Sequence, residues 1–461
     1  MANEENATAG SGQGEAADDR GNETARKSDE AVQRTDLGAL ALGGHGSASA
    51  AGAAFPGFLE GGRRARGFAP GRTEIAGNHV DHQGGTVLTA ALARGVEATA
   101  CENGLDVVRV VSEGFPAFTV DLASLRDEGP APDLRGSSKA LVAGMIMGME
   151  ARRGKQVGGF DMLVRSDLPA GGGLSSSAAF ELAVGALLNL MFFGGAFGPL
   201  ELAHVARDAE ETYFGKPCGM MDQVAIAFGG LLEIDFSGRE PRVSPIGFDF
   251  GASGAAVVLV DVHADHAQAT PAYASIPRDM AAAAGVFGAQ RLGDVDEFDI
   301  VSHIFDIRHL AGDRAALRAV HYVREMNLVR TRADALRRED IAAFCEATAL
   351  SGQSSAQYLQ NISEPGADRQ PAMIALGFAD LVLDRIARDE SPEGSSVETA
   401  LMSAWPRGVA RIHGGGFGGS IQVYLPSVRA ARFAEDIDAL LGPGSADILL
   451  FSPEGARARW L

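Results

Sequence analysis

Residues Asp167–Ala179 read DLPAGGGLSSSAA, a glycine turn between two differently patterned segments. Before it, Phe160, Met162 and Val164 alternate as in a half-buried strand. After it, Phe180, Ala183, Val184, Leu187, Leu188 and Met191 recur at helical spacing. A glycine loop that feeds a helix lets several backbone N–H groups face one ligand. The helix start adds unpaired donors and the positive end of its dipole. Together these make an anion cradle suited to a polyphosphate. Ser175, Ser176 and Ser177 are positioned to cap the helix, and one hydroxyl to ligate Mg²⁺. The loop lacks the GK[ST] ending of a Walker A site. The chain has 59 glycines, so glycine loops arise easily, and an ordinary capped helix after a turn stays open for this segment alone.

The mixed pattern extends in both directions. Thr86–Leu92 follows a glycine pair and is apolar; strands are expected at Asp106–Val111, Leu231–Phe236, Ala255–Asp261, Val409–Ile412 and Ser420–Leu425, and a helix at Lys139–Met149. Residues 277–387 are mostly helical in pattern. Gly and Ser around Asp249–Gly254 separate two strand-like runs, which suggests lobes over 53–250 and 251–461. Met1–Asp36 has almost no large apolar residues and 37–52 is Gly/Ala/Ser-rich, so 1–52 is expected to be a disordered tail. Its start has no basic stretch followed by an apolar one, so no signal peptide is expected.

The 461 residues are 46% hydrophobic, enough for a large core. A net charge of −20 argues against a general binder of nucleic acid or anionic membrane. Three cysteines without a CxxC fit a reducing compartment rather than a disulfide scaffold or zinc site. The most apolar run, Ala183–Phe197, is interrupted by Asn189, Gly194 and Gly195 and is expected to be a buried helix and its exit loop.

Three further segments carry chemistry. Ala69–Gly85, APGRTEIAGNHVDHQGG, packs Arg72, Glu74, Asn78, His79, Asp81, His82 and Gln83 into a short span. That density of donors and acceptors suits a polyhydroxylated ligand, with Arg available to a phosphate. The two histidines match no standard metal-ligand spacing, and a solvated polar turn is the alternative. In Cys218–Gln223, CGMMDQ, Asp222 lies among apolar residues, where a carboxylate needs a partner or a task. Glu210, twelve residues upstream, is a second carboxylate suited to Mg²⁺. His413–Gly419, HGGGFGG, is either a ligand contact or a tight turn between strands.

Taken together, these segments resemble the GHMP small-molecule kinases, and within them the galactokinases. APGRTEIAGNHVDHQGGTVL is similar to the galactokinase signature GR-x-N-x-I-G-E-H-x-D-Y-x-x-G, LPAGGGLSSSAA to the phosphate loop, GKPCGMMDQ to the segment of the catalytic aspartate, and RIHGGGFGGSIQVYL to the third motif. The resemblance runs from about Phe68 to Leu425 in the family's order. It implies an α+β fold of two lobes, an N-terminal α/β lobe resembling ribosomal protein S5 and a C-terminal ferredoxin-like lobe, with the active site between them.

The resemblance also implies roles. Asp222 would accept or orient the proton of the sugar 1-hydroxyl, with Arg72 as the cation beside it. Asn78, His79, Asp81, Gly219 and Tyr273 would contact the sugar. Gly171, Gly172, Gly173, Leu174, Ser175, Ser176 and Ser177, with Gly415 and Gly416, would hold ATP. Glu210 and Ser177, or Ser176, would ligate Mg²⁺. The expected enzyme is a cytoplasmic monomer acting on a small sugar and ATP, with no nucleic-acid or membrane partner. A sibling kinase for an N-acetylhexosamine or uronic acid, and a non-catalytic galactose sensor, are the alternatives. Among the departures from the signature, Glu74 stands for Asn, Asn78 for Glu and His82 for Tyr.

Overall fold

The computed structural model describes residues 54–129, 132–169, 173–216, 218–263, 270–389, 404–417 and 419–461. The expected tail, 1–52, lies outside them, as do Gly171 and Gly172.

The first sheet is built from β1 (Arg64–Ala76), β2 (Thr86–Glu102), β3 (Val107–Ser112), β4 (Phe118–Asp121), β5 (Phe160–Ser166), β6 (Leu231–Asp235) and β7 (Arg242–Pro245). Its neighbours are antiparallel except for the β3–β5 pair. The second sheet is β8 (Ala255–Asp261), β9 (Val409–Ile412), β10 (Ser420–Pro426) and β11 (Ala446–Ile448), all antiparallel, in the order β11-β8-β10-β9. Numbered within this sheet, that order is 4-1-3-2, as expected of a ferredoxin-like lobe. One strand, β12 (Arg457–Trp460), returns to the first sheet and pairs with β1. The fold is therefore α+β.

β8 shows how the second sheet is buried. Ala255, Val257 and Leu259 point into the core of the first sheet, while Ala256, Val258 and Val260 point into a second core. Period-2 alternation between two apolar cores makes the strand read as one continuous hydrophobic run. The second core is closed by Leu383 and Ile386 on one helix and Phe433 and Ile437 on another.

Two helices matter for the site. α1 (Ser176–Phe193) packs on β1 and β2 and is apolar all round. It is long and apolar enough to cross a membrane, but 72% of it is buried within the fold, as a core helix should be. α2 (Met221–Phe228) follows one turn of π-helix, Ala209–Phe214. Of the later helices, α3 (Thr270–Gly285), α4 (Asp313–Arg337) and α5 (Ile341–Ser354) put Ile276, Met280, Ala319, Val329, Leu336 and Phe344 into the first sheet's core.

Candidate active site

β1 slips register with β2 between Pro70 and Arg72 and again between Glu74 and Ala76. Bulges re-aim the side chains between them. Arg72 Nε donates to Asp222 Oδ1 at 2.8 Å and Nη1 to the Gly173 carbonyl at 2.6 Å. Asp222 lies in the first turn of α2, where the helix dipole favours a carboxylate. Burial works against its charge, but Arg72, the hydrogen bonds from Arg72 and Ser175, and nearby Lys216 outweigh it, and its pKa falls below the ordinary range. Burial likewise opposes the Arg72 charge, and Asp222 overcomes it, so the Arg72 pKa is raised.

Ser175 occupies the N-cap position of α1 but does not cap it. Its backbone is left-handed, φ 58°, and its hydroxyl donates to Asp222 Oδ2. The first N–H groups of α1 are thus left without a side-chain cap at the mouth of the glycine loop, which suits an anion. Gly173 is also left-handed, φ +68°, and a Cβ there would meet nothing nearer than 3.7 Å. Glycine is needed there for backbone conformation, not for space.

Glu210 sits in the π-helical turn, a feature frequent at functional sites. Its Oε1 accepts from Ser177 Oγ at 3.0 Å and from Lys216 Nζ at 3.1 Å, and its Oε2 from Gln223 Nε2 at 2.7 Å. Close by, Gln223 Oε1 and both carboxyl oxygens of Glu181 are buried without hydrogen-bond partners. Burial, then the charge of Glu210, pushes the Glu181 carboxyl well above its usual pKa. Burial opposes the charge on Lys216, and Glu210 raises its pKa despite that. Hard oxygen donors on Ser177 and Glu210, with orphaned acceptors beside them, fit Mg²⁺. Of the loop serines, Ser177 is the one that reaches Glu210.

The loop after β1 is held from two sides. His79 is left-handed, φ 61°, and its Nε2 lies 2.9 Å from the Gly415 carbonyl, which only accepts, so Nε2 carries the proton. Burial, then His82, pushes the His79 pKa down to about 3, so the ring is neutral. It packs 5.2 Å from the Tyr273 ring. A Cβ on Gly415 would sit 2.1 Å from that ring, and one on Gly416 2.1 Å from the Asn361 carbonyl oxygen. Those two glycines serve close packing around Tyr273 and Asn361. A Cβ on Gly219 would meet Asp81 Oδ2 at 3.0 Å, so Asp81 comes up to the segment that carries Asp222. Asn78, expected among the sugar contacts, is fully buried. Its amide donates to the Gly414 carbonyl and accepts from Asn361 at 2.8 Å, which builds it into the frame of the loop.

Several supporting residues complete the frame, His413 within the HGGGFGG segment and others with no signal in the sequence. His413 bonds Thr73 through Nε2 at 3.0 Å and Ser420 through Nδ1 at 2.9 Å, and burial brings its pKa down to about 3. On α4, Glu325 accepts from the Gly77 N–H at 3.1 Å, His321 Nε2 donates to the Asn78 carbonyl at 2.9 Å, and Arg332 donates to the Ile75 carbonyl at 3.3 Å. At 321, 325 and 332 these residues share one helix face, whose polar spacing reads as a solvated surface although it is fully buried.

Residues 140–230 match the GHMP kinases N terminal domain, and residues 60–101 the galactokinase galactose-binding signature. The chain is 30% identical over 382 residues to the galactokinase of Streptomyces coelicolor, covering 81% of this chain and 88% of that protein. The chain belongs to the galactokinase family. Other members are the galactokinases of Roseiflexus sp., 32% identical over 60% of this chain and 68% of that protein, and of Mannheimia succiniciproducens, 28% identical over 78% and 84%. Among solved structures, Lactococcus lactis galactokinase complexed with galactose superposes with a TM-score of 0.69 at 22% identity, over 88% of this chain and 97% of that one. The mevalonate kinase of Methanococcus jannaschii shares the fold at a TM-score of 0.54 and 13% identity, over 87% and 98%. In galactokinase terms, the signature spans β1 and β2, and the GHMP domain spans the glycine loop, Glu210 and Asp222.

Proposed function

We propose that this chain transfers the γ-phosphoryl group of ATP to the 1-hydroxyl of galactose, giving galactose 1-phosphate and ADP. The observation that carries this is the Arg72–Asp222 pair at the mouth of the glycine loop, next to the uncapped start of α1. Asp222, kept ionised, accepts the hydrogen bond of the 1-hydroxyl and orients it. As that oxygen bonds to the γ-phosphorus and the bond to the ADP oxygen breaks, the hydroxyl proton passes to Asp222. With its lowered pKa Asp222 is a weak base, which suits a loose transition state in which positioning dominates. Arg72 offsets negative charge on the transferring group. Gly173, Leu174 and the start of α1 face the polyphosphate. Ser177 and Glu210 would hold Mg²⁺, which when bound neutralises phosphate charge. His79, Asp81, Gly219 and Tyr273 gather where the sugar would lie. Cys101, Cys218 and Cys345 are free thiols, which supports a reducing, cytoplasmic setting.

ADP release with ATP and Mg²⁺ over galactose, glucose, N-acetylgalactosamine and galacturonate tests the reading. Galactose is expected to give the highest kcat/KM. A higher value for another sugar moves the assignment to a sibling kinase, and no ADP release with any of them overturns it.

A further inference from the structure

Positions 74 and 78 each carry the residue type that the signature GR-x-N-x-I-G-E-H puts at the other: Glu74 stands for Asn, and Asn78 for Glu. In the fold the two side chains touch, with Asn78 Nδ2 3.4 Å from Glu74 Oε1. Glu74 Oε1 also accepts from Arg411 Nη2 at 2.8 Å, in a pair whose side chains are 4% and 1% exposed. Beside it Glu325 pairs with Arg332, both side chains fully buried. The buried group thus holds two carboxylates and two guanidiniums. Arg411 already has Nε and Nη1 without hydrogen-bond partners, so Glu74 is its hydrogen-bonded anion.

We propose that Glu74 and Asn78 form one coupled exchange: it sets the loop's carboxylate against Arg411, behind the sugar-facing loop, and leaves the position before His79 neutral. Exchanging both residues preserves the charge count, and exchanging one does not. Asn78→Glu alone adds a third carboxylate against Glu74 and replaces the donor to the Gly414 carbonyl with an acceptor. Glu74→Asn alone leaves the Arg411 charge buried without an anion. For substrate choice the inference rests on the galactose reading above. A neutral residue 78, occupied by Gly414 and Asn361, offers no charged acceptor to a sugar hydroxyl, so selection for one hydroxyl is relaxed.

A double-mutant cycle on the full chain tests the coupling. E74N and N78E are each expected to lower Tm by about 5 °C, and E74N/N78E to return within about 2 °C of the parent. Additive losses in the double variant overturn the coupling. Then kcat/KM is measured for galactose and its monodeoxy analogues. In E74N/N78E, deletion of one particular hydroxyl is expected to cost roughly tenfold more than in the parent, the other ratios holding. A well-folded double variant with the parent's profile overturns the consequence for selectivity. If the parent does not phosphorylate galactose but the Tm cycle is non-additive, the galactose reading fails and the coupling stands.

Discussion

β1 carries two ion pairs two residues apart, and their lengths are the same. Arg72–Asp222 and Glu74–Arg411 both close at 2.8 Å. They differ in access: the Asp222 side chain is 33% exposed, against 4% and 1% for Glu74 and Arg411. Distance therefore does not separate the pair proposed to act on substrate from the structural one. The open pair has a partner oxygen on Ser175, a helix dipole and partial exposure. The sealed pair ties the first sheet to the second, because Glu74 lies on β1 and Arg411 on β9. A charge pair deprived of water is costly to break and adds little beyond that, so it serves as a fixed strut under the loop that bears His79 and Asp81.

The two pairs should respond oppositely to substitution. Asp222→Asn keeps the shape of the open pair and removes its charge. Turnover should fall by roughly a hundredfold or more while Tm stays close to the parent. Near-parental kcat in this variant would remove Asp222 from the mechanism. Arg411→Met acts on the sealed pair and leaves Glu74 buried without its cation. Urea unfolding should show a loss of about 3–5 kcal/mol, with kcat of the folded fraction changed only a few-fold. Unchanged stability would show that Glu74 does not depend on Arg411.

The smallest expected effect is with pH. The Asp222 carboxyl titrates below its ordinary value in the fold. Its ionised form therefore stabilises the fold above that ordinary value, about 3.9, and the contribution is lost as pH falls through the lower folded value. Burial keeps His79 and His413 neutral down to about pH 3. Between pH 7 and about pH 4, carbon NMR of the Asp222 carboxyl should show no midpoint. A midpoint near neutrality would mean that Arg72 does not hold the charge.

Much of the open pair was legible in the sequence. DLPAGGGLSSSAA announces a strand, a loop and a helix by period alone, and Asp222 stands out as a charge among apolar residues. The sealed side was not legible. Glu74 and Arg411 are 337 positions apart, and Asn361 joins Asn78 across 283. No local period encodes such pairings. Ala69–Gly85 reads as a polar stretch suited to a polyhydroxylated ligand, with a solvated turn as the alternative, yet its first part, Ala69–Ala76, is the end of the long strand β1. The sheet overrides its polar residues because each finds a buried partner: Thr73 meets Gln422 at 2.9 Å, and Glu74 meets Arg411. The serines pointed to a cap, and the hydroxyl of Ser175 instead serves Asp222.

The pairing of β12 with β1 has a consequence for biosynthesis. Ala65–Phe68 form their outer ladder with Arg457–Trp460, which the ribosome adds nearly four hundred residues later. At about 5–20 residues per second, that leaves the β1 edge unpaired for tens of seconds. During this wait the strand that carries Arg72 is an open template for other chains. Nascent chains stalled before residue 457 should therefore bind chaperones more strongly than released chains, and the outer edge of β1 at Ala65–Phe68 should gain protection from exchange later than the rest of the first sheet.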